Sequence, residues 1–216
     1  NVESRGLGDV YKRQGLNSVD EREIIGSVDM FATPMWQILQ TQCISRLHCH
    51  TCHCSSDHLE RLTSFSLEVP ERSQHIEVLL ANQFGDQPLK EGDDPYRCPS
   101  MQSCDNMRAN VTKTLIPRQW PQVLILSLKR WRTYMKHEVL HTDKISTIIN
   151  FEVLLHVPDG PAPYHLRGVI EHHGTTANGG HYTSYVRAAN NLWYYCNDAT
   201  SPQPVATEKV LKAQAY

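Results

Sequence analysis

Alternation at strand period dominates the apolar pattern of this chain. From Leu62 to Val69, Phe65, Leu67 and Val69 alternate with Ser64, Ser66 and Glu68, as in a half-buried strand, and Pro70 ends the run. One segment reads differently. After Ser73, a residue type that caps helices, Ile76, Leu79, Leu80 and Phe84 share one helical face and Gly85 supplies a stop. Phe31 to Leu39 is weakly helical or extended. Val123-Leu124-Ile125-Leu126 is too short to cross a membrane and opens a predicted buried strand that runs to Trp131. Further strands are expected at 114–115, 145–155, 164–172, 181–187 and 192–195, with a turn at Pro158-Asp159-Gly160-Pro161. The expected class is α+β, built on an antiparallel sheet.

The last two strands carry the sharpest chemistry. Gly179-Gly180-His181-Tyr182 opens one, and Trp193-Tyr194-Tyr195-Cys196 closes the other before Asn197-Asp198. Ala189-Asn190-Asn191 is the reversal between them, because Asn tolerates turn conformations. With the turn centred between 189 and 190, His181 faces position 198, with 197 beside it. Facing Cβ atoms on paired strands lie about 4.5–5.5 Å apart, within reach of an imidazole–amide hydrogen bond that fixes the ring's tautomer. Two glycines before the histidine let a substrate backbone come close. The competing reading is a surface hairpin with an incidental histidine; Trp193 and Tyr182 are expected to pack the hairpin rather than touch chemistry.

These residues resemble the catalytic domain of ubiquitin-specific proteases, the cysteine deubiquitinases. The resemblance rests on Tyr164-His165-Leu166-Arg167-Gly168-Val169-Ile170-Glu171-His172-His173-Gly174, then Gly180-His181-Tyr182-Thr183-Ser184-Tyr185, Trp193 and Asn197-Asp198, with Leu126-Ser127-Leu128-Lys129-Arg130-Trp131 upstream. It covers residues 36 to 216. It implies a papain-like fold with a "palm" over about 116–216, "fingers" over about 40–115, and a helical "thumb" that is largely missing. It also implies His181 as catalytic base, Asn197 as the residue that orients it, Asp198 as supporting acid, and Gly179, Gly180 and Tyr182 at the channel for a glycine-terminated tail. The family's N-terminal cysteine box and Gln-rich box do not occur in this sequence. The implied activity is therefore thiol-dependent ubiquitin carboxyl-terminal hydrolysis carried by a fragment without its nucleophile. The alternatives are a catalytically dead ubiquitin-binding scaffold of the same fold and an unrelated zinc-stabilised module. Residues 1–14 read as a non-native or disordered leader, and the domain as 15–216.

Seven cysteines carry a second signal. Cys49-His50-Thr51-Cys52 is a knuckle whose thiolates converge on one face, and Cys98 with Cys104 supplies a second, irregular pair. Met101 stands where a regular second knuckle would place its cysteine, and a thioether is a poor Zn²⁺ ligand. His48, His50, His53 and Cys54 are spare donors. A structural Zn²⁺ on Cys49, Cys52, Cys98 and Cys104 is the expectation, against reduced cysteines with no metal, and no catalytic cofactor is expected. Cys43 reads as ordinary core.

The 216 residues are 40% hydrophobic with a net charge of −2, enough for one domain with a real core and too little basic charge for a nucleic-acid footprint. No membrane-length apolar run occurs. The odd cysteine count and the absence of a secretory leader point to an intracellular protein of cytoplasm or nucleus, partnered by ubiquitin or ubiquitinated proteins. The acidic residues Asp86, Glu91, Asp93 and Asp94 form either a solvated loop or a rim facing that partner.

Overall fold

The computed structural model describes residues 33–89, 98, 111–160, 162–177 and 179–216. Strands dominate, and they gather into two four-stranded sheets joined by short ribbons. The first sheet has the order β2-β1-β6-β5, from β1 (Thr41–Cys49), β2 (Ser55–Leu62), β5 (Gln87–Pro88) and β6 (Val111–Gln119). It is a long antiparallel ribbon with β1 at its centre. The register slips between Gln42 and Cys43, where Pro117 meets Cys43 and Arg118 is skipped. Proline has no N–H to give to a ladder, so a bulge is the natural place for it.

The second sheet has the order β13-β14-β15-β16, from β13 (Gly168–Thr176), β14 (Gly179–Arg187), β15 (Trp193–Cys196) and β16 (Gln203–Val205). Between the sheets run β3 (Phe65–Glu68), β4 (Gln74–His75), β7 (Leu126–Lys129), β8 (Trp131–Lys136), β9 (Val139–Lys144), β10 (Ile149–Asn150), β11 (Leu154–Leu155) and β12 (Tyr164–His165). The strands β8 and β9 form an antiparallel hairpin, while β3 with β7 and β4 with β10 are short parallel pairs. Both four-stranded sheets are antiparallel throughout, as expected, and the parallel pairs are confined to short two-stranded sheets. Three short helices complete the described residues: α1 (Pro34–Leu39), α2 (Ile76–Asn82) and α3 (Thr207–Val210).

The alternation from Phe65 onward holds, with Phe65 and Leu67 buried and Ser66 and Glu68 exposed. The strand begins at Phe65, however, because β2 ends at Leu62 and the chain bends before it pairs with β7. Ser73 does not cap α2: the cap position is His75, without a side-chain bond, and Ser73 Oγ instead accepts from Asn150 Nδ2 at 3.2 Å. Val123 and Ile125 are exposed, so the predicted buried strand narrows to β7. The 145–155 run resolves into only β10 and β11.

One core cluster joins Cys43, Phe65, Leu67, Leu79, Leu80, Leu128 and Ile149. A second, under the β13–β16 sheet, joins Phe151, Val169, Tyr185, Trp193, Val210 and Ala213. Trp193 belongs to this core, 4% exposed. Between the two clusters lies Arg130, 1% exposed, at the β7–β8 junction. Its Nε donates to the Ala215 carbonyl, and its Nη1 donates to the carbonyls of Ile145 (3.1 Å) and Thr147 (2.9 Å). Its Nη2 is buried without a partner, and desolvation lowers its pKa. No helix among the described residues is long and apolar enough to cross a membrane.

Leu67 is fully buried and Leu192 is 55% exposed, which sets up a stability comparison. Leu67→Ala is expected to lower unfolding free energy by about 2–5 kcal/mol through lost transfer energy and a residual cavity. Leu192→Ala should stay within about 0.5 kcal/mol. Urea titration of the two variants checks both values.

Candidate functional site

The hairpin of β14 and β15 carries the histidine and its neighbours. Ser184 pairs with Cys196 and Tyr185 with Tyr195, one residue away from the expected register, which would set His181 opposite Ala199. The turn is longer than a centre at 189–190 implies: Ala188 N donates to Leu192 O, and Asn191 takes a positive φ of 63°. The ladder stops at Cys196, and the chain then turns back, with Asp198 at φ 43°. That turn is held at Asn197, whose carbonyl accepts from Thr200 N (3.0 Å) and Thr200 Oγ1 (2.6 Å).

The turn compensates for the shifted register. His181 Nε2 lies 2.6 Å from Asn197 Oδ1, so Nε2 carries the proton in the neutral ring and Nδ1 keeps its lone pair. Asp198 Oδ2 stands 3.7 Å from Nδ1. The imidazole is 45% exposed and open to a reactant. On the other side, β13 pairs His173 with His181, their rings stack 6.4 Å apart, and His173 Nε2 is bonded to Thr183 Oγ1 at 2.7 Å. Sequence reasoning missed His173 and Thr200. Counting the β13–β14 hairpin across the Thr175–Gly180 segment is the signal that finds His173. No pattern announces Thr200.

The glycines before His181 divide in function. A Cβ on Gly180, at φ 157°, would meet His172 Nε2 at 2.3 Å and the His173 carbonyl at 2.6 Å. Gly180 is thus demanded by the ring of His172 beneath it, not only by an approaching substrate. Gly179 faces open space apart from Thr176 Oγ1 at 3.6 Å. His172 is 6% exposed, wedged among Trp131, Tyr182 and Tyr216, and its Nδ1 has no partner. Burial, then the Lys144 charge and His173, lower its pKa. Tyr182 is half exposed and bonded to Tyr216, which raises its phenol pKa. A depression of about 660 Å³, lined by Lys144, His172, His173, Gly174 and Gln214 among others, adjoins these residues.

The thiols lie elsewhere. Cys49, Cys52 and Cys98 bring their Sγ atoms within 4.8 Å of one another, with Cys52 and Cys98 at 3.3 Å. The knuckle is shaped by His53 N donating to Cys49 O (2.8 Å) and by Cys49 N donating to Cys54 O (3.0 Å), with His53 at φ 61°. Zn–S bonds of about 2.3 Å place tetrahedral sulfurs about 3.8 Å apart, so the cluster fits three corners of such a site. Cys104 and Met101 lie outside the described residues. Among the described residues, the ring nitrogens of His181 meet Asn197 and Asp198, and no thiol.

Comparison with known proteins gives the chain a context. The family model described as ubiquitin carboxyl-terminal hydrolase matches residues 27–216. Ubiquitin carboxyl-terminal hydrolase 17-like protein D of Mus musculus is 29% identical over 173 residues, covering 80% of this chain and 30% of that protein. Ubiquitin carboxyl-terminal hydrolase 25 of Arabidopsis thaliana is 28% identical over 176 residues, covering 80% of this chain and 25% of that protein. This chain therefore spans less than a third of the length of these relatives. A yeast SAGA DUBm structure superposes with a TM-score of 0.73 at 23% identity, covering 92% of this chain and 44% of the other. The Ubp8/Sgf11/Sus1/Sgf73 module bound to ubiquitin aldehyde gives 0.69 at 24% identity, covering 83% of this chain and 40% of the other. These likenesses establish the papain-like fold expected from the sequence.

Cys43 is fully buried, and desolvation followed by the Glu60 charge pushes its thiol from an ordinary 9.0 to about 11. A thiol whose folded pKa is raised adds stability below its unfolded pKa and loses it as pH climbs through the folded value. Wild type should therefore lose stability relative to Cys43→Val between pH 9.0 and about 11, and native Cys43 should resist alkylation at neutral pH. Alkaline denaturant titrations and mass mapping of labelled cysteines provide the checks.

Proposed function

The chain belongs to the ubiquitin carboxyl-terminal hydrolase family, and on that footing we propose that it carries the general base and orienting amide of a thiol-dependent deubiquitinase. The single observation behind this reading is the 2.6 Å contact between His181 Nε2 and Asn197 Oδ1. It leaves Nδ1 as the basic nitrogen on a ring open to solvent. The substrate is an isopeptide or peptide bond that follows the C-terminal glycine of ubiquitin.

In the proposed reaction, Nδ1 of His181 takes the proton of a cysteine thiol, and the thiolate attacks the glycine carbonyl. The protonated ring keeps its Nε2–H on Asn197 and gains the Asp198 carboxylate, 3.7 Å from Nδ1, as a counter-charge. His181 then returns the proton to the departing lysine amine, and a water repeats the cycle on the thioester. Gly179, open on its Cα face, and Tyr182, half exposed, border the path of the glycine tail. The described cysteines are placed for other tasks: Cys43 is buried with a raised pKa, Cys49, Cys52 and Cys98 form the thiol cluster, Cys54 lies at the tip of the ribbon, and Cys196 pairs with Ser184. The attacking thiolate is assigned to a cysteine outside this sequence.

Zn²⁺ is assigned to Cys49, Cys52 and Cys98, with Cys104 as the fourth donor. When bound, it supplies a cross-link between the β1–β2 turn and the chain leading into β6, and no chemistry on substrate.

The 216-residue chain alone is expected to hydrolyse no ubiquitin–fluorophore conjugate, and turnover that an alkylating reagent abolishes would overturn the assignment of the nucleophile. In the protein that supplies the thiolate, His181→Ala should lower kcat by about 10²–10⁴-fold. Asn197→Ala should lower it less, and wild-type rates from His181→Ala would defeat the reading. Metal analysis should find about one zinc per chain, lost in Cys52→Ser together with part of the thermal stability. An undiminished zinc content in that variant contradicts the ligand set.

A further inference from the structure

The end of β13, from Gly174 to Thr176, and the start of β14, at Gly179 and Gly180, lead into His181, and a side chain from a different hairpin holds this end of the ladder. Lys144 is the last residue of β9. Its ammonium donates to the carbonyl of His172 and to that of Gly174 at 3.1 Å. These acceptors sit where the β13–β14 register breaks: His173 still pairs with His181, the next pair is Thr176 with Gly179, and Gly174 has no strand partner. A charged donor spanning two carbonyls replaces the ladder at the point where the ladder fails.

Lys144 is itself firmly placed. It pairs with Trp131 across the β8–β9 hairpin. The next residue is gripped from both sides by Arg130, because Ile145 N donates to Arg130 O at 2.7 Å and Arg130 Nη1 donates to Ile145 O at 3.1 Å. The neighbouring Asp143 carboxylate accepts from Tyr134 Oη at 2.8 Å, and no ion pair with Lys144 occurs among the described residues. Downstream, His172 bears on this end of the ladder through its ring, which lies against Gly180, the residue before His181. A continuous line thus runs from a buried guanidinium, through Ile145 and Lys144, to the backbone that presents the imidazole.

We propose that Lys144 is a positioning residue for His181, tying the His172 and Gly174 carbonyls so that the irregular end of the β13–β14 ladder and the ring hold one alignment with Asn197. The role in turnover rests on the reading of His181 as the base, whereas the tie itself does not. The β8–β9 hairpin is therefore mechanically connected to the site, and a shift at its base is transmitted to this end of the ladder.

The test compares wild type, Lys144→Met and Lys144→Arg. Amide hydrogen exchange on the 216-residue chain is read at residues 174–181 and, as an internal control, along β1 and β6. Lys144→Met, which removes both charge-assisted hydrogen bonds, should speed exchange at 174–181 by about tenfold or more and leave β1 and β6 unchanged. Lys144→Arg, which can still reach two carbonyls, should recover most of the protection. In the protein that supplies the thiolate, Lys144→Met should lower kcat about tenfold with KM within about twofold, and Lys144→Arg should restore it. Unchanged exchange at 174–181, or acceleration spread equally over β1 and β6, overturns the proposal. If local protection is lost in Lys144→Met but the protein that supplies the thiolate cleaves no ubiquitin conjugate, the tie stands and the catalytic reading falls.

Discussion

A guanidinium sealed in the interior, with no ion pair to a carboxylate among the described residues, constrains the chain around it. An uncompensated buried cation is costly, and Arg130 survives only because backbone carbonyls surround it. Those carbonyls come from three places: Ile145 and Thr147 after the β8–β9 hairpin, and Ala215 near the last residue of the sequence. The two core clusters meet around this contact, since Ala215 packs against both. Any rearrangement that moved one carbonyl away would leave a second donor stranded beside the already unpartnered Nη2. The segment that follows β9 is therefore not free to drift.

The site depends on that rigidity because little else holds it. His181 is exposed and Asn197 half-buried, and their contact lies beyond the last rung of the β14–β15 ladder. Three local devices compensate. The Asn197–Thr200 turn fixes the backbone that carries the Asn197 amide, His172 fills the space under Gly180, and the ladder from His173 to Gly168 anchors the strand. Placing the ring where the β14–β15 ladder has ended keeps it reachable while its tautomer stays defined. The thiol cluster sits where the last residue of β1 pairs with the first of β6.

Much of this was legible beforehand. Strand alternation marked Phe65, Leu67 and Val69, and the Gly-His-Tyr and Asn-Asp stretches marked the hairpin that carries the ring. The register of that hairpin was not legible, because Asn190 and Asn191 admit more than one turn and a one-residue shift depends on their φ values. The imidazole still reaches Asn197 because the chain bends after Cys196, a tertiary effect that no strand count includes. Strand lengths between 123 and 155 were overestimated because apolar runs there pack in short pieces against different neighbours, leaving Val123, Ile125 and Ile148 in solvent. Ser73 looked like a cap but found a better acceptor role with Asn150. The tasks of Lys144 and Arg130 were invisible in principle, since both spend their charge on carbonyls, which every residue possesses.

The two parallel pairs have a kinetic corollary. Phe65 pairs with Leu126, and Gln74 with Ile149, so the entire ribbon of β5 and β6 must be spanned before either pair can close. Closing such loops costs chain entropy before any contact repays it, and topologies rich in distant pairings cross their barrier slowly. The antiparallel hairpins, whose partners are near in sequence, have no such wait. Newly made chains should thus pass through a stage with hairpins formed but the seam between β3 and β7 still open, its Leu67 and Leu128 exposed to neighbours. The seam is where misassembly has to be avoided during synthesis.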